Sequence, residues 1–483
     1  MLDTPADEIA NLSAWLESAS AVPGFVDLPR LRTCLAQLEQ LPLDVRHMSL
    51  LARADVLSHN ALQRLRPGLR EIALPLARDA RARSTEAAEL LDQLSRCHLR
   101  ALKSLRHADS ARAGLLALYR RFEVAVLAGA TVPSGMWLCA GEIYRSLAHA
   151  SHDSLEQEAA QKAKLIFVRL LALSCLAPQH LSAGEIGEAV DWLDETMIPI
   201  VLHETPPASA DETWFWFDFD LDQPPRQFGR RAPPSRSGIV TFSLGPLASH
   251  ALATAALLAP EQEDHAGAAE CEASVASLLR RVADQFSNAH RRRLSRRRNN
   301  YRVSVCIGLP EIRRLLATEA DTPGETPQLS EWMVVNESAG GFAIMHVGGH
   351  IEGIVSGGVL ALRAEDSEAW VICLIRWSRS DNPAHVELGL QVLSNGAQAV
   401  EIAFRAGSPG GERGLRQALL LPAVPALRPK FAILAPAGTY TSRRFVMVAQ
   451  TGHVYVTQGR LISLDLQTAA VELFQFELDP YPM

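Results

Sequence analysis

Leu31, Cys34, Leu35, Leu38 and Leu41 recur at i, i+3, i+4, i+7 and i+10, which lays one apolar stripe along a helix face. The same period persists to about residue 200, with further helical stretches near 48–68, 84–105, 110–129, 137–149, 154–175 and 183–195. Breakers such as Pro133 and Pro178 separate them, and Ser182–Glu185 reads as a capping box opening the last. After Arg302 the helical period gives way to short apolar runs divided by turn residues: YRVSVCIGL, SEWMVVNES, GFAIMHV, GGVLALRA, EAWVICLIRW and HVELGLQVL. Helices in one block and strands in another exclude a parallel α/β sheet, where the two alternate. The expected fold is multidomain α + β. It comprises stacked helical hairpins over 1–285, a small antiparallel β-barrel or sandwich over 286–400, and a C-terminal β-rich module over 401–483.

The join between the blocks carries other material. ETWFWFDFDLD and IVTFSL read as strands, so a β-hairpin set into the helical region is expected near 212–245. Between them runs QPPRQFGRRAPPSRSG, a proline-rich loop whose Arg226, Arg230 and Arg231 suit a partner-docking arm; an embedded hairpin is the plainer reading. A helix over roughly 261–290 is expected next. Beyond residue 400, the loop AGSPGGERG precedes a second strand series: KFAILAP, RRFVMVAQ, GHVYVTQG, RLISLDL and AVELFQFEL.

Composition narrows the setting. Cys34, Cys97, Cys139, Cys175, Cys271, Cys306 and Cys373 are scattered and never form CxxC, a reduced, cytoplasmic pattern with no zinc cage. The start, MLDTPADEIA, has no basic flank before an apolar run, so no signal peptide is expected. LIFVRLLALSCLA and GPLASHALATAALLA are interrupted by Arg169 and His250 and are too short to cross a bilayer. With 47 basic and 54 acidic residues the net charge is −7, so any anion binding must be local.

Such a locality exists. His290–Arg302, HRRRLSRRRNNYR, packs seven arginines into thirteen residues with no acid among them. Its Arg298 and Arg302 are spaced RxxxR where the polar linker enters the first strand, and extended residues rise about 3.3 Å each. The planar guanidinium makes paired hydrogen bonds to phosphate oxygens or to guanine O6 and N7. Downstream, NESAGG places Asn336, Ser338 and Gly341 in an NxSxxG turn between two strands. Asn offers both donor and acceptor to a purine edge, Ser adds a hydroxyl, and Gly340 and Gly341 would permit positive φ. An ordinary tight turn uses the same residues.

Taken together, RRNNYRVSV, NESAGG, the LIRW strand and the closing HVELGLQVL resemble the PilZ domain, a bacterial cyclic di-GMP receptor family, over roughly residues 290–400. The resemblance implies a β-barrel in which Arg298 and Arg302 hold guanine and phosphate groups. Asn336 and Ser338 would bond one guanine and Gly341 would shape the turn. Arg297, just before RxxxR, would add a contact where two intercalated ligands bind. Arg291, Arg292, Arg293 and Arg296 read equally well as a solvated tether. One departure is LPEIRRLLATEADTPGETPQL, longer than this segment usually is, which begins like a helix with Pro in its first turn and is placed to alter access.

Other candidates carry less. His346 and His350 sit on a strand and turn, where i, i+4 does not align two imidazoles for a metal. Cys306 and Cys373 read as core sulfurs, and Trp214 and Trp216 as a packed strand face. GSPGGERG lacks the lysine of a phosphate loop, and no catalytic constellation stands out. The leading expectation is a cytoplasmic, non-enzymatic receptor with no cofactor and no membrane span. Its cyclic di-GMP would reorient the barrel against the helical domain and so regulate a protein partner. The alternatives are a PilZ-like adaptor of pilus, flagellar or secretion machinery that binds no nucleotide, and a basic patch for nucleic acid or anionic membrane. The last module is expected to be a second, non-binding β unit.

Overall fold

The computed structural model describes residues 5–22, 24, 27–71, 73–105, 107–147, 154–205, 211, 213–258, 266–288, 295–317, 326–382, 385–404, 415–424, 428–440, 442–450 and 454–479. Eight helices come first: α1 (Pro5–Ser20), α2 (Leu28–Gln40), α3 (Val45–Arg70), α4 (Arg78–Leu105), α5 (Ala108–Leu127), α6 (Met136–Ser146), α7 (Ser154–Cys175) and α8 (Ala183–Glu195). The Asp27 carboxylate caps α2 by accepting from the Arg30 amide at 3.0 Å, and the stripe Leu31, Cys34, Leu35 and Leu38 is fully buried. Ser182 and Glu185 form the expected capping box at the start of α8. Helix α5 is the hub, packed against both α4 and α7. Its Glu123, 1 % exposed, is gripped by Arg66 at 2.7 Å and Arg120 at 2.9 Å, and Arg120 also reaches Asp194 at 2.6 Å.

The insert departs from the expected hairpin. β1 (Trp214–Asp218), β2 (Arg226–Gln227) and β3 (Ile239–Ser243) form a three-stranded sheet in the order β2-β1-β3. A two-residue strand has no period to read, which is why β2 is silent in the sequence. Phe215, Phe217 and Phe242 are buried in the helical core, and Phe217 meets Trp137 and Phe167 edge-on or tilted. Trp216 is buried too and donates its indole N–H to the Arg231 carbonyl at 2.7 Å. Two helices, not one, follow: α9 (Gly245–Leu257), with Pro246 in its first turn, and α10 (Ala266–Ser287).

The remainder is two closed, six-stranded antiparallel barrels. The first comprises β4 (Arg297–Ile307), β5 (Ser330–Ser338), β6 (Gly341–Gly348), β7 (Val359–Ala364), β8 (Val371–Asn382) and β9 (His385–Ser394), ordered β4-β5-β6-β9-β8-β7. The second comprises β10 (Gln398–Phe404), β11 (Arg416–Leu421), β12 (Ala432–Pro436), β13 (Arg444–Gln450), β14 (Val454–Gln467) and β15 (Val471–Leu478), ordered β10-β11-β12-β15-β14-β13. Numbered within each barrel, both orders are 1-2-3-6-5-4. The expected boundary at 400/401 falls inside β10, so the join is instead the short span 395–397.

The described first part of the long segment after β4 packs away from the expected ligand site. It forms α11 (Leu309–Leu316), which starts from Gly308 at φ 91° and leaves from the far end of β4. Leu309 and Ile312 are wedged between the barrels, in one core with Ile372 and Leu374 of the first and Leu419, Leu434 and Leu473 of the second. Arg313 adds an ion pair to Glu401 at 3.0 Å. Ile312 is fully buried, so Ile312→Val is expected to lower stability by about 1 kcal/mol, read from the urea midpoint of the second barrel's unfolding.

The helical domain is docked on the first barrel through backbone. Leu74 and Ile354 exchange both amide hydrogen bonds, at 2.8 and 3.0 Å, and the Ser380 amide donates to Gly129 O at 2.9 Å. Leu74, Leu76 and Ala128 share a hydrophobic cluster with the barrel interior. Among the described residues no helix is long and apolar enough to cross a membrane.

Candidate ligand site on the first barrel

Antiparallel pairing of β4 with β5 brings the two motifs together. Arg298 stands opposite Asn336 and Arg297 opposite Glu337, while a bulge at residues 299–300 resets the register so that Arg302 faces Met333. All three arginines are exposed. Arg302 is held by Glu331 at 3.2 Å in a pair whose side chains are both more than half exposed. Arg297 and Arg298 have no ion-pair partner among the described residues. Asn336 Oδ1 is buried and accepts no hydrogen bond. A buried acceptor without a donor costs about 1–3 kcal/mol, so a ligand N–H there would recover that energy. Beside it, Tyr301 donates to Glu337 at 2.6 Å; burial and then this bond push its phenol pKa well up.

Ser338 and Gly341 act within the turn. The Ser338 hydroxyl donates to the Gly341 carbonyl at 3.3 Å, closing the loop between β5 and β6. The freedom for positive φ that Gly340 and Gly341 offer is not used, since neither is among the positive-φ glycines. Gly341 is required for another reason: a Cβ there would lie 1.9 Å from the Leu390 carbonyl oxygen, where β6 pairs with β9. The glycine therefore lets two strands close beneath the NxSxxG turn.

Register extends the candidate face. Asn336 pairs with Ala343, Ala343 with Gly389, and Gly389 with Trp377, one row across β5, β6, β9 and β8. Ile344, Leu388 and Leu390 point into the barrel, so Ala343 and Gly389 alternate to the outside. Gly389 lies under the Trp377 indole, whose Nε1 would be 1.8 Å from any Cβ built there. Both lie in stretches that carry the resemblance, LIRW and HVELGLQVL, but neither was named as a site residue, although a glycine inside a strand is a known sign of close approach.

The remaining candidates lie apart. Arg291, Arg292 and Arg293 fall outside the described residues, and Arg296 is described just before β4. His346 bonds the Gly348 carbonyl at 3.0 Å and packs on Trp332, while His350 pairs with Glu352. Cys306 and Cys373 are fully buried, and burial pushes both thiols up to about 12.

The chain matches known families over most of its length. Residues 10–205 match the N-terminal domain of the cyclic-di-GMP receptor FimW, residues 311–399 its middle PilZ domain, and residues 402–479 its C-terminal β-barrel domain. All three domains occur in the family's order. The chain belongs to the FimW family. Its first barrel is therefore the PilZ domain, and the second corresponds to the C-terminal barrel of FimW proteins. The matches leave out 206–310, so Arg297, Arg298 and Arg302 rest on their geometry in β4 rather than on the family match. No curated protein and no solved structure matches the chain.

Proposed function

We propose that the protein is a non-enzymatic cyclic di-GMP receptor of the cytoplasm, holding its ligand on the outer face of the PilZ barrel. Arg298 and Arg302 grip phosphate or guanine, Asn336 and Ser338 meet one guanine edge, Gly341 keeps the floor low, and Arg297 serves a second, stacked ligand. The observation that carries this reading is the buried, donor-less Asn336 Oδ1 directly across the ladder from an unpaired Arg298. Guanine's ring and exocyclic N–H groups are the donors it lacks.

Calorimetric titration of cyclic di-GMP onto the wild type and Asn336→Ala tests the assignment. One lost hydrogen bond of about 1.5 kcal/mol predicts roughly tenfold weaker binding with unchanged stoichiometry. Equal affinity in the two proteins removes Asn336 from the site, and no heat with either favours the adaptor reading.

Ligand binding then reorients the barrel against the helical domain and so exposes or hides a surface for a protein partner. The reciprocal Leu74–Ile354 bonds and the Ser380–Gly129 bond oppose that motion at about 1 kcal/mol each, so the ligand must favour the moved state by more than their sum. Small-angle scattering with and without ligand reads it directly; superimposable curves at saturation remove the reorientation.

A further inference from the structure

The Arg226–Arg231 loop is not a free arm. It walls a cavity of about 720 Å³ between the helical domain and the PilZ barrel. We propose that this cleft is a second ligand site, taking an organic anion with a flat apolar body and one or two acidic groups. None of Arg297, Arg298, Arg302, Asn336, Ser338 and Gly341 lines it, so the inference does not depend on the ligand assigned to them.

Three properties set the ligand class. The volume suits a small molecule and not a peptide chain. Trp137, Phe215, Trp377 and Ile354 give it broad apolar walls from both domains. Four arginines, Arg226, Arg230, Arg231 and Arg379, line it, with no aspartate or glutamate among the described residues. Two of these are engaged: Arg226 lies over the Trp216 ring at 5.7 Å, and Arg379 pairs with Glu387 at 3.3 Å. Arg230 and Arg231 are exposed and have no ion-pair partner among the described residues. Two cations placed at an apolar cleft without counter-charge attract an anion, and the planar guanidinium binds its oxygens in pairs.

Two of the cleft's neutral polar side chains, Ser356 and Ser378, already have partners. Ser356 donates to the Gln179 carbonyl at 3.0 Å and shares a 3.2 Å bond with Ser378, so these side chains brace the wall. The Leu74–Ile354 bridge fixes the same wall from the helical side. A ligand would enter a cleft that is already formed, which lowers the ordering cost of binding. Because its walls come from two domains, an occupant would strengthen their docking.

The test uses the full chain with anilinonaphthalene sulfonate, a ring system bearing one acidic group, and its uncharged relative phenylnaphthylamine. The sulfonate should bind saturably at one site per chain, and the neutral probe at least tenfold more weakly. The pair Arg230→Glu and Arg231→Glu, and separately Thr131→Trp at the cleft rim, should each weaken the sulfonate at least tenfold while the circular dichroism spectrum is kept. The combined Arg298→Ala and Arg302→Ala variant should leave sulfonate binding unchanged. Equal affinity in both cleft variants, equal affinity for the neutral probe, or loss of binding in the Arg298/Arg302 variant overturns the proposal.

Discussion

Replacing both Arg298 and Arg302 by alanine is expected to weaken cyclic di-GMP binding more than a hundredfold, enough to leave no heat in calorimetry at micromolar protein. Hydrogen bonds to a charged partner contribute about 1.5–3 kcal/mol each, and every 1.4 kcal/mol is tenfold in affinity. Little offsets that gain in the wild type. Arg298 gives up no ion pair, and the Arg302–Glu331 pair is exposed on both sides, so releasing it costs at most about 1 kcal/mol. Both residues are on the surface at the open end of β4, so the double variant should keep the wild-type melting temperature. Affinity within tenfold of the wild type would move the site off this strand. The same titration reports on Arg297: two ligands per chain agrees with a stacked pair, and one ligand per chain removes its role.

The second large effect belongs to the helical domain. Glu123→Ala should destabilise it by about 3 kcal/mol, because it removes the buried carboxylate shared by two arginine side chains that are only 11 % and 12 % exposed, and with it two charge-assisted hydrogen bonds. Burial alone would lower the pKa of Arg120, yet the charges of Glu123 and Asp194 more than reverse this and raise it. Removing one of the two carboxylates leaves Arg66 with Asp191, and Arg120 with Asp194 alone. Glu123→Gln keeps an acceptor and should lose less. Urea melts followed by helical circular dichroism measure both; a loss under 1 kcal/mol for alanine would mean the two arginines reach water instead.

Local patterns carried much of this fold. The α2 stripe, the α8 capping box and the proline-led start of α11 each depend on neighbours within four residues, and each is present as expected. Strands were harder where a local cue pointed the wrong way. GHVYVTQG and RLISLDL looked like two strands because Gly459 resembles a turn. They are one, β14, and the glycine is there because a Cβ would strike the Phe445 ring at 2.4 Å. β10 and β11 passed unnoticed beside the glycine-rich loop, since their pairing with β13 and β12 is set by distant residues. In the candidate site, the arginines and NESAGG were legible as composition and spacing. That Asn336 Oδ1 is stranded, that Gly341 serves Leu390, and that the Arg226–Arg231 loop walls a cleft are facts of tertiary contact. No local period encodes them.

The join between the barrels has a mechanical consequence. Only residues 395–397 link β9 to β10, α11 fills the seam, and the Thr468 hydroxyl donates to the Gly357 carbonyl at 2.8 Å across it. Two units fastened by a short strap, a wedge and a clasp would follow one another in the reorientation proposed above. That motion would carry along the exposed β13–β14 ribbon, where Val454, Tyr455 and Val456 face solvent. The second barrel, whose sequence repeats neither RxxxR nor NxSxxG, would thus act as the pointer for the ligand binding proposed for the first.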